Sequence, residues 1–308
     1  MTVALSILPI FVVIAIGLGG ARLGFLPPQF IKAGNRLAFY LAIPALLFRT
    51  LATAPFAQSF QPSAALAALA ALVITWLVAV AVSRPLHRPE QAASRATWIQ
   101  GATHGNQGFL GLAVVFYGLG PEGLRAAGLI AAVIIVGQNL LSVVTLTRWG
   151  HGQGGRSLIK AMALNPIILA TLAGLAWSLA GLGLPWVLDR TLAILAGLGL
   201  PLALLIVGAT LSQSPLDRGR LARLGLLSLT KLLFMPALGW LLLWGLGVAV
   251  LPAAVALVLL SSPSATICVI MANQMGGDAR LASTAISATH ALSALTYILW
   301  LVVGSHLG

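Results

Sequence analysis

The chain has 308 residues, of which 59% are hydrophobic and only 7% charged, with a formal net charge of +12. A soluble domain of this size carries roughly a quarter charged residues, so this composition excludes an ordinary soluble enzyme and points to an all-α polytopic membrane protein. The excess of Lys and Arg raises nucleic acid as a partner, which the placement of those residues then excludes.

A membrane-crossing helix needs about 20 mostly apolar residues. Ten such runs follow one another along the chain, at 3–21, 34–53, 63–82, 95–118, 123–147, 157–180, 187–211, 221–246, 250–273 and 280–304. The first ends in Arg22 without a basic leader or a small-residue cleavage site, so it reads as a span and not as a secretory signal. Arg22, Lys32 and Arg36 flank connection 1–2, Arg84, Arg88 and Arg95 flank 3–4, and Arg148, Arg156 and Lys160 flank 5–6. Arg218, Arg220 and Arg223 flank 7–8, and Arg280 follows 9–10. Thirteen of the 17 basic residues thus fall on one side, against Arg49, Arg125 and Arg190 on the other, with Lys231 inside a span. This asymmetry predicts an inner (plasma) membrane protein with both termini periplasmic.

The fourth run contains "GATHGNQGFLG", four glycines around His104, Asn106 and Gln107 where hydrocarbon disfavours a loosened backbone. The ninth contains "SSPSATI", where Pro263 removes a donor and clashes with the preceding turn. These breaks occupy matching places in an internal repeat. Pro9, Gly17, Pro28 and Pro44 are followed 157 residues later by Pro166, Gly174, Pro185 and Pro201. The offset then slips to 156, which sets Gly105 and Gly108 of the first break against the stretch around Pro263 and Ser264. Five spans per half is an odd number, so the second half starts on the opposite side. The expected architecture is ten transmembrane helices as two inverted repeats of five, 1–150 and 151–308, with helices 4 and 9 broken. Paired breaks of this kind point to a transporter's binding site, where half-helix N-termini can hold an anion.

The motifs "LPIF" at Leu8, "LAFYLAIPALLF" at Leu37, "GNQGFLGL" at Gly105, "NPIILATLAGL" at Asn165, "PLALLIVGATL" at Pro201, "KLLFMP" at Lys231, "SSPSAT" at Ser261 and "GGD" at Gly276 resemble the auxin efflux carrier family. The resemblance covers nearly the whole chain. It implies a scaffold domain of helices 1, 2, 6 and 7, a mobile transport domain of helices 3–5 and 8–10, helices 4 and 9 crossing at their breaks, and elevator-like movement. Plant members read Pro-Asn at the first crossing, where this chain has Gly105-Asn106. The family's bacterial members carry malonate and malate, and its plant members auxin.

Lys231 is the one lysine at mid-span depth. An intramembrane charge costs at least about 2.5–3.5 kcal/mol on insertion scales, which makes it a candidate anion contact, against snorkelling or pairing with carbonyls near a break. The amides of Asn106 and Gln107 can bind a carboxylate or cap the broken ends. Asn165 before Pro166 reads equally as a helix cap or a ligand contact. Gln138, Asn139 and Ser264 complete the expected substrate contacts, Gln138 and Asn139 being adjacent and so unable to share one face. His104 and His290 are the groups that could carry a coupling proton. No acid lies deep in a span, and no metal-ligand spacing, cofactor motif or nucleotide loop is present. The expected activity is secondary transport of a small organic anion across the bilayer, not catalysis, with a homodimer left open. The alternatives are an intramembrane hydrolase using Ser264 or Ser262 with His290, and a channel or sensor of the same fold.

Overall fold

The computed structural model describes residues 3–56, 60–150, 164–213 and 221–304, all of them helix, turn or connection; among them the nearest thing to a strand is a single antiparallel bridge between Gly105 and Ser264. Arg156, Lys160, Arg218 and Arg220, expected at two basic connections, lie outside the described residues.

Helix α1 (Val3–Arg22) is followed by α2 (Pro28–Leu37), which opens on a proline at its first position, where the missing N–H has no helical partner to lose. A π-helical turn, Ala38–Ala42, joins α2 to α3 (Ile43–Ala52). Pro44 cannot donate to the turn before it, and the helix widens there. The third run is α4 (Pro62–Leu86). The fourth is split into α5 (Ala92–Thr103) and a π turn, Gln107–Gly111, that runs into α6 (Leu112–Trp149). Helix α6 turns sharply at Gly120, whose φ of 75° lies in the left-handed region that favours glycine, so it serves both the fourth and the fifth run.

Next come α7 (Pro166–Leu179), α8 (Trp186–Leu211), and α9 (Leu221–Leu229) with α10 (Met235–Gly245). A π turn, Thr230–Phe234, separates the last two, just before Pro236. The ninth run is α11 (Val250–Leu260) and α12 (Ile267–Gln274), with the non-helical stretch 261–266 between them, and α13 (Ala279–Gly304) is last. All ten apolar runs therefore carry helix. Seven helical stretches are long and apolar enough to cross a bilayer, and Pro166–Leu179 and Val250–Leu260 are shorter apolar helices.

The helices pack in two groups. Helices α1, α2, α3, α7 and α8 lie together, with α1 on α8 and α3 on α7. The others surround α4, α6 and α11. Glycine permits the closest approaches in the first group. A Cβ at Gly17 would fall on the Leu205 carbonyl, with the Leu205 carbonyl carbon 2.9 Å away, and one at Gly174 would lie 3.0 Å from the Phe48 carbonyl oxygen. These two contacts are copies of each other at the 157-residue offset, since Gly17 precedes Gly174, and Phe48 precedes Leu205, by that interval. Outward, Leu5, Leu8, Val12 and Ile16 of α1 are each at least half exposed while Ile7, Ile10 and Ile14 are buried. In water such a stripe would drive aggregation; against lipid it is the expected surface. The chain is thus a multi-pass membrane protein.

Candidate functional site

The two broken helices meet at the Gly105–Ser264 bridge. The Asn106 N–H donates to the Pro263 carbonyl at 2.7 Å, and the Ala265 N–H donates to the His104 carbonyl at 3.0 Å. His104 and Asn106 of the first segment are thus matched with Pro263 and Ala265 of the second, each 159 residues later, so the crossing pairs three residues out of step with the 156 offset read from the sequence. In this arrangement the N–H groups of Gly105 and Ser264 turn away from each other and need partners elsewhere. Gln138 of α6 supplies one: its Oε1 accepts from Gly105 N at 2.9 Å, and its Nε2 donates to Gly105 O at 3.0 Å. Thr289 of α13 supplies the other, its Oγ1 accepting from Ser264 N at 3.0 Å.

A cavity of about 640 Å³ reaches this crossing, which is ample for a small organic ligand. His104, Asn106, Gln138, Asn139 and Asn165 line it, as do the first turns of the two half-helices at Gly108 and Thr266. No Asp or Glu does. The His104 ring is held through Nδ1 by Ser142 Oγ at 2.8 Å. Asn139 donates to the Ile135 carbonyl of its own helix at 2.7 Å. Asn165 caps α7, its Oδ1 accepting from Ile167 N at 2.9 Å, and also faces the cavity, so both readings of it coexist. Asn106 is different. Its side chain makes no capping bond, contrary to the expectation that it would cap the break, and its Nδ2 is buried without a hydrogen-bond partner among the described residues. A buried amide donor left unmade costs free energy unless something else satisfies it.

Four other expected site residues are not brought to the cavity. Lys231 is fully buried, and its ammonium donates to the Leu260 carbonyl at 2.9 Å, beside Met235 Sδ at 3.5 Å. It neutralises the negative C-terminal end of half-helix α11, the carbonyl-pairing alternative. Only Gly105 lets it approach: a Cβ there would stand 2.9 Å from Lys231 Nζ. Gln107 donates from Nε2 to the Leu259 carbonyl at 3.3 Å, and Ser264 Oγ donates to the Gly101 carbonyl at 2.7 Å, so both complete broken helix ends. His290 bonds through Nδ1 to the Ile286 carbonyl at 2.9 Å. Neither Ser264 nor Ser262 bonds to His290, since Ser262 Oγ pairs with the Val258 carbonyl and accepts from Tyr297 OH at 3.1 Å. The crossing therefore lacks the nucleophile–base contact that the hydrolase alternative needs.

Sequence reading overlooked Ser142 and Thr289, which position His104 and Ser264. The available signal was their place in the helix that follows each break.

Broken helices converging on an enclosed polar floor inside an apolar bundle define a membrane transport protein. The family described as "Membrane transport protein" matches residues 2–150 and 154–301, and the chain belongs to it, the auxin efflux carrier family that its motifs resemble. Among its relatives, a protein of Rhizobium meliloti named "Putative malonate transporter" is 29% identical over 297 residues, covering 94% of this chain and 92% of that one. An uncharacterized transporter of Methanothermobacter thermautotrophicus is 27% identical, with 97% of each chain covered. Another, of Methanocaldococcus jannaschii, is 23% identical, with 96% of each covered.

Proposed function

We propose that the chain is a secondary carrier for a small organic anion, a carboxylate such as malonate, malate or an auxin-like acid, with its substrate held at the crossing. The observation that carries this reading is the Asn106 side chain at the floor of the cavity, whose Nδ2 is buried without a hydrogen-bond partner among the described residues. The N-terminal turns of two half-helices stand beside it, each contributing a partial positive charge of about half a unit. Among the described residues, no carboxylate lines the cavity to oppose an anion.

In this reading the ten helical runs are ten spans, arranged as inverted repeats over 1–150 and 151–308. The twin contacts of Gly17 with Leu205 and Gly174 with Phe48 support that symmetry. The segregated packing of α1–α3, α7 and α8 supports their role as a scaffold. The remaining helices would carry the crossing across the bilayer as an elevator, both termini lying in the periplasm of an inner membrane. The relative named for malonate supplies the first substrate to try.

Uptake and counterflow of malonate, malate and an aromatic monocarboxylate into proteoliposomes test the function. Asn106→Ala is expected to stay folded and to lose about 10- to 100-fold in affinity for the transported acid, the worth of a hydrogen bond to a charged group. Lys231→Met is expected to keep that affinity within about threefold, because its ammonium faces Leu260 and not the cavity. Wild-type affinity in Asn106→Ala, or a tenfold loss in Lys231→Met, would reverse the assignment of the two residues.

A further inference from the structure

The mouth of the cavity carries basic side chains of its own, apart from Lys231 at the crossing. Pro28, Ile31, Lys32, Asn35, Arg36 and Phe39 all line the cavity. Each lies three or four residues from another of the set, which is one continuous face of α2 and the turn after it. Lys32 and Arg36 stand one turn apart on that face, an arrangement of like charges that disfavours a helix. Among the described residues neither is paired with an acid, and the ion pair present there, Arg49 with Asp189, involves other elements. Orientation in the membrane requires only that basic residues occupy the connection, as Arg22 does without reaching the cavity. It does not require two of them on the cavity face.

We propose that Lys32 and Arg36 form an outer anion subsite that takes the second carboxylate of a dicarboxylic acid whose first carboxylate lies at Asn106, so that this pair decides between di- and monocarboxylates. The inference rests on the carrier reading above. Arg36 offers a planar fork of donors and Lys32 a mobile ammonium, a combination suited to one carboxylate held between them. With no acid among the described residues that line the cavity, these residues set a field favourable to an anion from mouth to floor. A monoanion gains from the pair only during capture; a dianion gains while bound as well.

Arg36 also borders a shallow outer groove of Ala33, Leu37, Tyr40 and Leu41, where a lipid phosphate would compete for it. The test therefore uses purified full-length protein in phosphatidylcholine vesicles, which lack anionic lipid. Binding of malonate, succinate, glutarate and adipate is measured beside the mono-amide of each, which keeps length and removes one charge. The double variant Lys32→Gln with Arg36→Gln should lose about 10-fold or more in affinity for at least one diacid and less than about threefold for its mono-amide. It should also flatten the salt dependence of diacid binding, while Lys32→Arg with Arg36→Lys should retain the preference. The chain length at which the effect appears measures the distance from mouth to floor. Diacid and mono-amide weakened equally at every length, or no weakening at any, overturns the subsite and leaves the carrier reading intact. A wild-type protein that binds none of these acids overturns both.

Discussion

Gln138→Leu is expected to abolish transport and to lower the melting temperature of the purified protein by several degrees. Gln138 holds both polar groups of the Gly105 peptide, at 2.9 and 3.0 Å, on the side that the bridge to Ser264 leaves open. Leucine nearly conserves volume, so little cavity is created. What is lost is the partner of one buried N–H and one buried C=O, at about 1–3 kcal/mol each. Against a total stability of about 5–15 kcal/mol, that is enough to let the crossing open. Asn139→Leu is the control for stability, since Asn139 bonds only within its own helix. Thermal unfolding and counterflow are the measurements. A Gln138→Leu protein that melts with the wild type and transports normally would show that Gly105 finds its partners elsewhere.

Gly208→Ala is expected to be the most damaging single methyl in the bundle. Its Cβ would fall on the Ile14 carbonyl, with the Ile14 carbonyl carbon at 2.8 Å and the Leu18 nitrogen at 2.9 Å. These are backbone atoms of α1, which cannot swing aside as a side chain could. Relief requires α1 and α8 to separate, and overpacking of this kind costs about 1–3 kcal/mol or more. Gly19→Ala supplies the opposite sign, because nothing lies within 4 Å of its Cβ and alanine in a helix gains about 0.5–1 kcal/mol over glycine. The two melting temperatures should move in opposite directions. A Gly208→Ala protein as stable as wild type would mean that the α1–α8 contact yields easily, and a rigid scaffold would lose its support.

Much of this site was legible before any coordinates. Hydropathy is a local property, so each apolar run carries helix, and both breaks fall where glycine or proline denies the helix its regular bonds. The amides expected at the first break are there. What each amide does was not legible. Asn106 and Gln107 are neighbours of the same chemistry, yet one faces the cavity unpaired and the other donates to the Leu259 carbonyl. Composition treats them alike; only the path of the crossing chain separates them. The same holds for Lys231. Sequence shows a costly buried charge, but its partner is the end of a half-helix 29 residues away, chosen by how α10 packs against α11.

Patterning, proline and glycine act on the chain within a turn or two, so the order of residues already carries the helical membrane character, the auxin efflux carrier motifs, the course of the helices and the places where two of them break. The tertiary structure alone decided which polar groups remain free for a ligand. A buried donor or acceptor is satisfied by whatever packing brings within hydrogen-bond reach. For Gly105 that was Gln138, for Ser264 it was Thr289, and for the Leu260 carbonyl it was Lys231. Asn106 was left with none, and α2 was turned so that Lys32 and Arg36 stand at the cavity mouth.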